Sequence, residues 1–311
     1  MRSHQMGLMG AGIIASALAL QPSATRPGSP GQPGKDAPAH PAPEKPARND
    51  SASEALGLRL GVQAWTFRDR TAHEAIAAAR DLNIKYMQCY PGQPLSPESP
   101  EVKVGADMTA PQRASLRRML DDAGVRAVSF GVVGFSKDQA AARRTFQFAK
   151  DMGFETIAAE PDPDAWDLVE ALADEFDIRV ACHDHPKPSR YWDPVVVLDA
   201  IKGRSKRLGF CADTGHWKRS GLDPVKCLEQ AGGKVFELHF KDISAGVDKP
   251  WGTGECGAEA MLRTLRAQGF KGCIFVEYED GKGIELEANV AKCVEFFDKT
   301  AEAIRESEKK K

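Results

Sequence analysis

The chain reads as an α/β protein: a single (β/α)8 TIM barrel preceded by a signal-like segment and a disordered Pro-rich linker. Three observations carry this expectation. From Leu58 onward, eight short apolar runs alternate with helical stretches, as expected of buried parallel strands joined by crossover helices. The stretch after residue 53 is 258 residues long, close to the ~250 typical of such a barrel. Polar residues able to do chemistry gather just where the runs end, the rim on which these barrels build their sites. A doubly wound open sheet is the structural alternative. However, no GxGxxG follows the first run and no GxxxxGKS/T occurs anywhere, so the usual nucleotide-binding marks are missing.

The first 20 residues form the first element. Arg2 and His4 precede an apolar run from Met6 to Leu20, with small residues at Ala17 and Ala19. This is the pattern of a signal peptide or an N-terminal anchor. It predicts export, to the periplasm, or a cytoplasmic location if the segment is not a true signal. The run is too short for a stable membrane span, which needs about 20 residues. Residues 21–53 show no apolar periodicity and are rich in Pro, Gly, Ala and Ser, as a disordered linker would be. Eight of the 20 prolines lie in the first 50 residues. The first 53 residues hold five basic and three acidic side chains, so residues 54–311 carry a net charge of −4 although the whole chain carries −2. An acidic body without a basic stripe argues against a nucleic-acid partner. Hydrophobic residues make up 42% of the chain, enough for a sizeable core.

The strand-like runs fall at 58–65 (LRLGVQAW), 84–89 (IKYMQC), 125–131 (VRAVSFG), 155–160 (ETIAAE), 178–183 (IRVACH), 207–212 (RLGFCA), 235–240 (VFELHF) and 272–278 (GCIFVEY). Among the helical stretches, 111–123 places Leu116, Met119 and Leu120 on one face. Residues 285–305 align Leu286, Val290, Val294, Phe297 and Ile304. Asp193-Pro194 and Asp223-Pro224 read as N-caps followed by proline in the first turn. The seven cysteines show no CxxC spacing and several sit inside apolar runs. They read as free, buried small hydrophobes with no disulfide framework, which sits awkwardly with export.

The run ends carry Gln63-Ala64-Trp65-Thr66-Phe67-Arg68, Tyr90-Pro91-Gly92-Gln93, Glu160, His183-Asp184-His185-Pro186, Asp213-Thr214-Gly215-His216, His239-Phe240-Lys241-Asp242 and Glu277-Tyr278-Glu279. Singly, a strand-end Glu is most often a helix cap and a strand-end His a satisfied polar residue. Their coincidence on strands four to eight is what points to a site. Glu160, Asp213, His239 and Glu277 supply three carboxylates and one imidazole. That donor set suits one divalent metal ion, Mn²⁺ first, with Mg²⁺, Co²⁺ or Zn²⁺ as alternatives. Trp65 and Trp251 are expected to wall a pocket. Lys187, Arg190, Lys218, Arg219 and Lys241 are available to an anionic ligand, but no phosphate cradle is evident. The loops 90–108 and 241–255 are either lids or rigid packing segments.

These residues resemble the xylose isomerase-like barrels of the sugar phosphate isomerase/epimerase group. The resemblance rests on GVQAWTFR (61–68), YPGQ (90–93), EP (160–161), HDHP (183–186), CADTGHWKRSG (211–221), HFKD (239–242), WGTGE (251–255) and VEYE (276–279), in order over about 58–300. It implies a metal held by Glu160, Asp213, His239 and Glu277, with Glu160 and Glu277 also serving as the acid/base pair. It further implies that His183 and His216 line the substrate or stand just behind the groups that do; our reading places them at the substrate, joined by His185, Arg219 and Lys241. The family motif HNH reads His183-Asp184-His185 here; strand alternation turns Asp184 away from the barrel centre.

The function expected is a metal-dependent sugar isomerase or epimerase that moves a proton beside a carbonyl through an enediolate. Alternatively, the two glutamates only bind metal and His183 or Lys241 handles protons. The partner expected is a small-molecule sugar or glycoside; a homo-oligomer is left open. One rival is a 3-keto-glycoside or C-glycoside lyase or hydratase on the same site. Another is a carbohydrate-binding barrel without turnover. The abasic-site endonuclease branch fits poorly, because it needs further histidines near Cys89-Tyr90 and Ser129-Phe130.

Overall fold

The computed structural model describes residues 48–310. The expected signal segment 1–20 and residues 21–47 of the expected linker lie outside the described residues. The last six linker residues belong instead to the folded body. Arg48 grips Asp298 through Nε at 2.7 Å. Helix α1 (Ser51–Leu56) buries Ala52, Ser53 and Leu56. The Pro-rich composition that defines the linker ends at Pro46, and an amphipathic turn follows it.

Eight strands pair in parallel and in chain order around a closed barrel: β1 (Arg59–Gln63), β2 (Tyr86–Cys89), β3 (Arg126–Phe135), β4 (Thr156–Pro161), β5 (Arg179–His183), β6 (Leu208–Asp213), β7 (Val235–Phe240) and β8 (Cys273–Val276). Closure comes from β1 against β8, in the register Arg59–Cys273 to Val62–Val276, and this excludes the open sheet. The crossovers are helical: α2 (Ala72–Asp81), α3 (Ala110–Ala123), α4 (Gln139–Met152), α5 (Trp166–Phe176), α6 (Pro194–Ile201), the pair α7 (Thr214–Arg219) and α8 (Pro224–Ala231), α9 (Ala258–Ala267) and α10 (Gly283–Lys309). The anticipated caps are present: Asp193 accepts from Val195 N at 2.9 Å and Asp223 from Val225 N at 3.0 Å. Strand β3 outruns its expected end by four residues because Gly134 and Phe135 continue to pair with Glu160 and Pro161. All seven cysteines are buried and free. Among the described residues no helix is long and apolar enough to cross a membrane.

Alternation along each strand sorts side chains between the helices and the barrel interior. Residues i and i+2 share a face, so Ala158 and Glu160, Ala181 and His183, Cys211 and Asp213, Glu237 and His239, and Phe275 and Glu277 point inward in pairs. The lower member of each pair is mostly small; Phe275 fills the centre. Its ring lies where a Cβ on Gly61 would stand, 2.6 Å from the nearest ring carbon. This packed layer is the floor on which the polar upper layer rests.

At the opposite, N-terminal end of the strands, Glu155 gathers three arginines. Arg59 binds it through two contacts of 3.0 and 2.9 Å, Arg126 at 3.0 Å and Arg179 at 3.4 Å. Burial pushes the Glu155 carboxyl up, but the arginines outweigh this, led by the Arg59 hydrogen bonds, and its pKa is lowered overall. A carboxylate with a depressed pKa stabilises the fold above its unfolded pKa of about 4.5, and the contribution fades as pH falls further. Glu155→Gln should therefore lower stability at pH 7 by about 1–3 kcal/mol. In urea titrations this deficit should shrink below pH 4.5, because the wild-type carboxylate is then lost as well.

Candidate active site

The C-terminal rim encloses a cavity of about 320 Å³ lined by Trp65, Tyr90, His183, His185, His216 and Glu277, among others. Each wall has a local cause. Strand β1 ends where Gln63 caps a 3-10 turn, Ala64–Phe67, its Oε1 accepting from Trp65 N at 3.1 Å. The turn lifts Trp65 onto the rim, 40% exposed and edge-on to Tyr90 with ring centres 5.1 Å apart. Strand β5 delivers His183 to the interior and, beyond its end, His185 to the mouth. Strand β6 ends at Asp213, whose Oδ1 caps the following helix by accepting from His216 N at 2.8 Å. Asp184 turns off the barrel axis, as alternation requires, and its Oδ1 accepts from Asp213 N at 2.7 Å.

The titratable groups form one continuous chain across the floor. Asp213 and His239 stand side by side on β6 and β7. With Glu277 they bring three donor atoms within 4.8 Å of one another. The ammonium of Lys241, fully buried, reaches Asp213 Oδ2 at 2.5 Å, contacts Glu277 directly, and lies 3.6 Å from Glu279 Oε2. Its stem runs so close to α7 that a Cβ on Gly215 would stand 2.7 Å from Lys241 Cδ. Burial alone would raise the Asp213 and Glu277 carboxyls. Neighbouring positive charge, Lys241 prominent in it, outweighs burial and holds both well below the usual carboxylate range.

Glu160 stands apart from that trio. Its Oε1 takes His183 Nδ1 at 3.1 Å, the backbone N of His185 at 3.2 Å, and the His185 ring. Burial would raise its carboxyl, but the two imidazoles bring it below the usual range. Burial would depress His183, yet the Asp213 and Glu160 carboxylates outweigh it and raise the ring to about 10. His183 thus bridges the two halves, its Nε2 3.7 Å from Asp213 Oδ2. Burial lowers His216 to about 2.

The four expected metal ligands are thus divided three and one. The chemistry of Asp213, His239 and Glu277 fits a divalent cation. The fit is marked by His239 Nδ1, a buried ring nitrogen without a hydrogen-bond partner that faces Glu277 Oε2 at 3.2 Å. Glu160, His183 and His185 form a second cluster of donor atoms, and His183, Asp213 and His216 a third.

Trp251 is not a pocket wall. Its ring packs on Phe240, with centres 4.5 Å apart, and on Phe297 behind the barrel, 2% exposed. The cause is Asp242, whose carboxylate accepts from the N–H groups of Gly252, Gly254 and Cys256 at 2.8, 3.0 and 2.9 Å. That ties the segment after the short hairpin Asp242–Ser244/Val247–Lys249 to the helix side, as a packing segment. The cations expected to meet an anion are all engaged. Arg219 pairs with Asp248 at 3.0 Å and Glu279 at 3.3 Å. Lys218 lies 3.9 Å from Glu255, Arg190 3.7 Å from Asp162, and Lys187 over the Trp192 ring.

A further polar layer, to which the residue pattern assigns no role, lies beneath the floor. Gln88, Ser129 and Glu237 are buried there, and Gln63, also buried, reaches from the cavity wall down to Gln88. Gln88 Oε1 lies 2.7 Å from His239 Nε2, while Gln88 Nε2 donates to Glu237 Oε1 at 2.7 Å and to Ser129 Oγ at 2.9 Å. The available signal was Glu237 itself, an acid inside the apolar run VFELHF and two residues before His239 on the same face.

Residues 76–300 match the family model described as the xylose isomerase-like TIM barrel. Among solved structures, a putative uncharacterized protein from Parabacteroides distasonis is 33% identical, with a TM-score of 0.66 over 78% of this chain and 99% of that one. An L-ribulose 3-epimerase shares the fold at 17% identity, with a TM-score of 0.61 over 81% and 97% of the two chains. A probable 3-DHS dehydratase involved in petrobactin synthesis from Bacillus anthracis shares it at 12% identity, with a TM-score of 0.60 over 77% and 98%. No curated protein matches the chain.

Removing the Lys241 ammonium leaves Asp213 and Glu277 as neighbouring buried anions. Lys241→Met should lower stability in EDTA by about 3–5 kcal/mol, the loss typical when one partner of a buried pair is deleted. Added Mn²⁺ should recover more of the melting temperature in the variant than it adds to the wild type, as read by thermal denaturation.

Proposed function

The chain belongs to the xylose isomerase-like TIM-barrel family, and from that premise we propose that it is a divalent-metal-dependent sugar isomerase or epimerase working through an enediolate. The observation that carries this reading is the donor trio Asp213, His239 and Glu277 on the floor of a rim cavity walled by aromatic and imidazole rings. Asp213, His239 and Glu277 would hold the ion, with Glu160 the fourth carboxylate of the site. When bound there, a divalent cation would polarise a substrate carbonyl and offset the charge of an enediolate.

The protein's own groups divide the remaining work. Glu277 lines the cavity and is ionised at neutral pH, so it can accept a proton from the carbon beside the carbonyl. Glu160, from β4 on the far side of the barrel, stands behind His185. It can pass a proton through that ring, which is half exposed at the mouth. Two proton-handling groups on opposite walls are what inversion at one carbon requires, whereas transfer between adjacent carbons needs only one of them. Trp65 and Tyr90 offer apolar faces to a sugar ring and shield the floor from water.

No Lys or Arg is among the residues lining the cavity, and the nearby cations are already engaged by carboxylates or, for Lys187, by the Trp192 ring. This supports an uncharged sugar or glycoside over a phosphorylated one. The solved structures that share the fold include an L-ribulose 3-epimerase and a probable 3-DHS dehydratase, which is in line with an isomerase or a lyase on this barrel.

Incubation with free sugars, 3-keto-sugars and glycosides in D₂O with Mn²⁺ tests the proposal. Deuterium should enter a carbon beside a carbonyl. Glu160→Gln and Glu277→Gln should each lower exchange by roughly 10²–10⁴-fold while circular dichroism reports a folded barrel. Full exchange in either variant would reject the paired-carboxylate scheme, and release of an aglycone would replace isomerisation by elimination.

A further inference from the structure

The polar layer under the floor has a direction that can be read bond by bond. At its base, Glu237 Oε1 accepts twice, from Ser129 Oγ at 2.9 Å and from Gln88 Nε2 at 2.7 Å. The amide face of Gln88 is thereby assigned: its NH₂ points down toward Glu237 and its carbonyl oxygen points up. That oxygen meets His239 Nε2 at 2.7 Å and also takes the amide of Gln63. A carbonyl oxygen can only accept, so the proton of His239 must sit on Nε2. In the neutral ring, the form that burial favours, Nδ1 is then a bare lone pair, buried and facing Glu277 Oε2 at 3.2 Å. Gln63 is oriented by the same logic. Its Oε1 accepts from Trp65 N at 3.1 Å and its Nε2 donates to Gln88 and, at 3.2 Å, to Gly131 O.

We propose that Gln88 is a positioning residue that fixes the tautomer and ring orientation of His239, with Glu237 and Ser129 as the anchor that keeps Gln88 the right way round. A histidine ligand needs its free nitrogen unprotonated and its other N–H held by an acceptor. Here the acceptor is Gln88, the middle of a three-residue relay crossing the barrel from β7 through β2 and back to β7, braced by β3. All members are buried, so no water competes for the bonds and the polarity persists. The property that matters is hydrogen-bond direction rather than charge: whatever sits at 237 must accept from Gln88. The function of this relay rests on the metal reading above, whereas the tautomer itself does not.

The test separates the two. Long-range ¹H–¹⁵N correlation on ¹⁵N-histidine-labelled, EDTA-treated protein, with the ring assigned by His239→Gln, should show His239 protonated on Nε2. A ring protonated on Nδ1 or on both nitrogens would overturn the proposal. Gln88→Met removes the acceptor at similar volume. It should weaken Mn²⁺ binding by about 10–100-fold in titration calorimetry and disperse the His239 signals, with the barrel still folded. Glu237→Gln keeps an accepting oxygen and should retain wild-type Mn²⁺ affinity, whereas Glu237→Met should behave like Gln88→Met. Wild-type affinity in Gln88→Met, or equal loss in both Glu237 variants, would also overturn it. A wild-type protein that binds no divalent ion would instead overturn the metal reading and leave the tautomer result to decide the inference.

Discussion

Pairing of β8 with β1 closes the parallel sheet, and that closure places the C-terminal ends of all eight strands on a single rim. In an open sheet, Trp65 on the β1 turn and Glu277 beyond β8 would lie at opposite edges. In the barrel they line the same cavity. Closure also makes the interior a stack of layers, because inward side chains from alternate strands meet across the axis at one height. The clamp of three arginines on Glu155 finishes the stack below, and the group of carboxylates, imidazoles and one ammonium finishes it above.

The upper layer is an electrostatic arrangement that no single residue could sustain. Asp213 and Glu277 are nearly inaccessible, and isolated carboxylates there would be strongly disfavoured. Lys241 offsets them from inside the protein, its stem held in a groove that exists because position 215 lacks a side chain. Glu160 is offset separately by two imidazoles, so the acidic half-sites of β4 and of β6 to β8 are balanced by different partners and joined through the histidines, His183 foremost. This is why four residues that look alike in the sequence divide three and one in space.

Several features were legible from residue pattern alone because they depend on local periodicity. The strand runs, the Asp-Pro caps at 193 and 223, the buried free cysteines and the outward turn of Asp184 all follow from short-range spacing. The placement of the chemistry on strands four to eight followed as well, since a strand end is also a rim position in this fold. The fate of Trp251 was not legible. Its segment is held by three backbone N–H groups converging on Asp242, and nothing in WGTGE announces that bond. Gln88 and Ser129 carry no mark of their role for a related reason. An uncharged residue at a strand end carries no signal until its partner across the barrel is known.

The amino-acid order by itself determined the barrel class, its element order and the residue types gathered at the rim, because alternation and helical period act within a few residues along the chain. Only the tertiary structure decided which carboxylate meets which cation, that the rim cations are already engaged, that the chain joins the barrel by residue 48, and which nitrogen of His239 faces the site. Those outcomes depend on contacts between residues 25 to 250 positions apart, where hydrogen-bond direction and burial, rather than sequence spacing, select the partner.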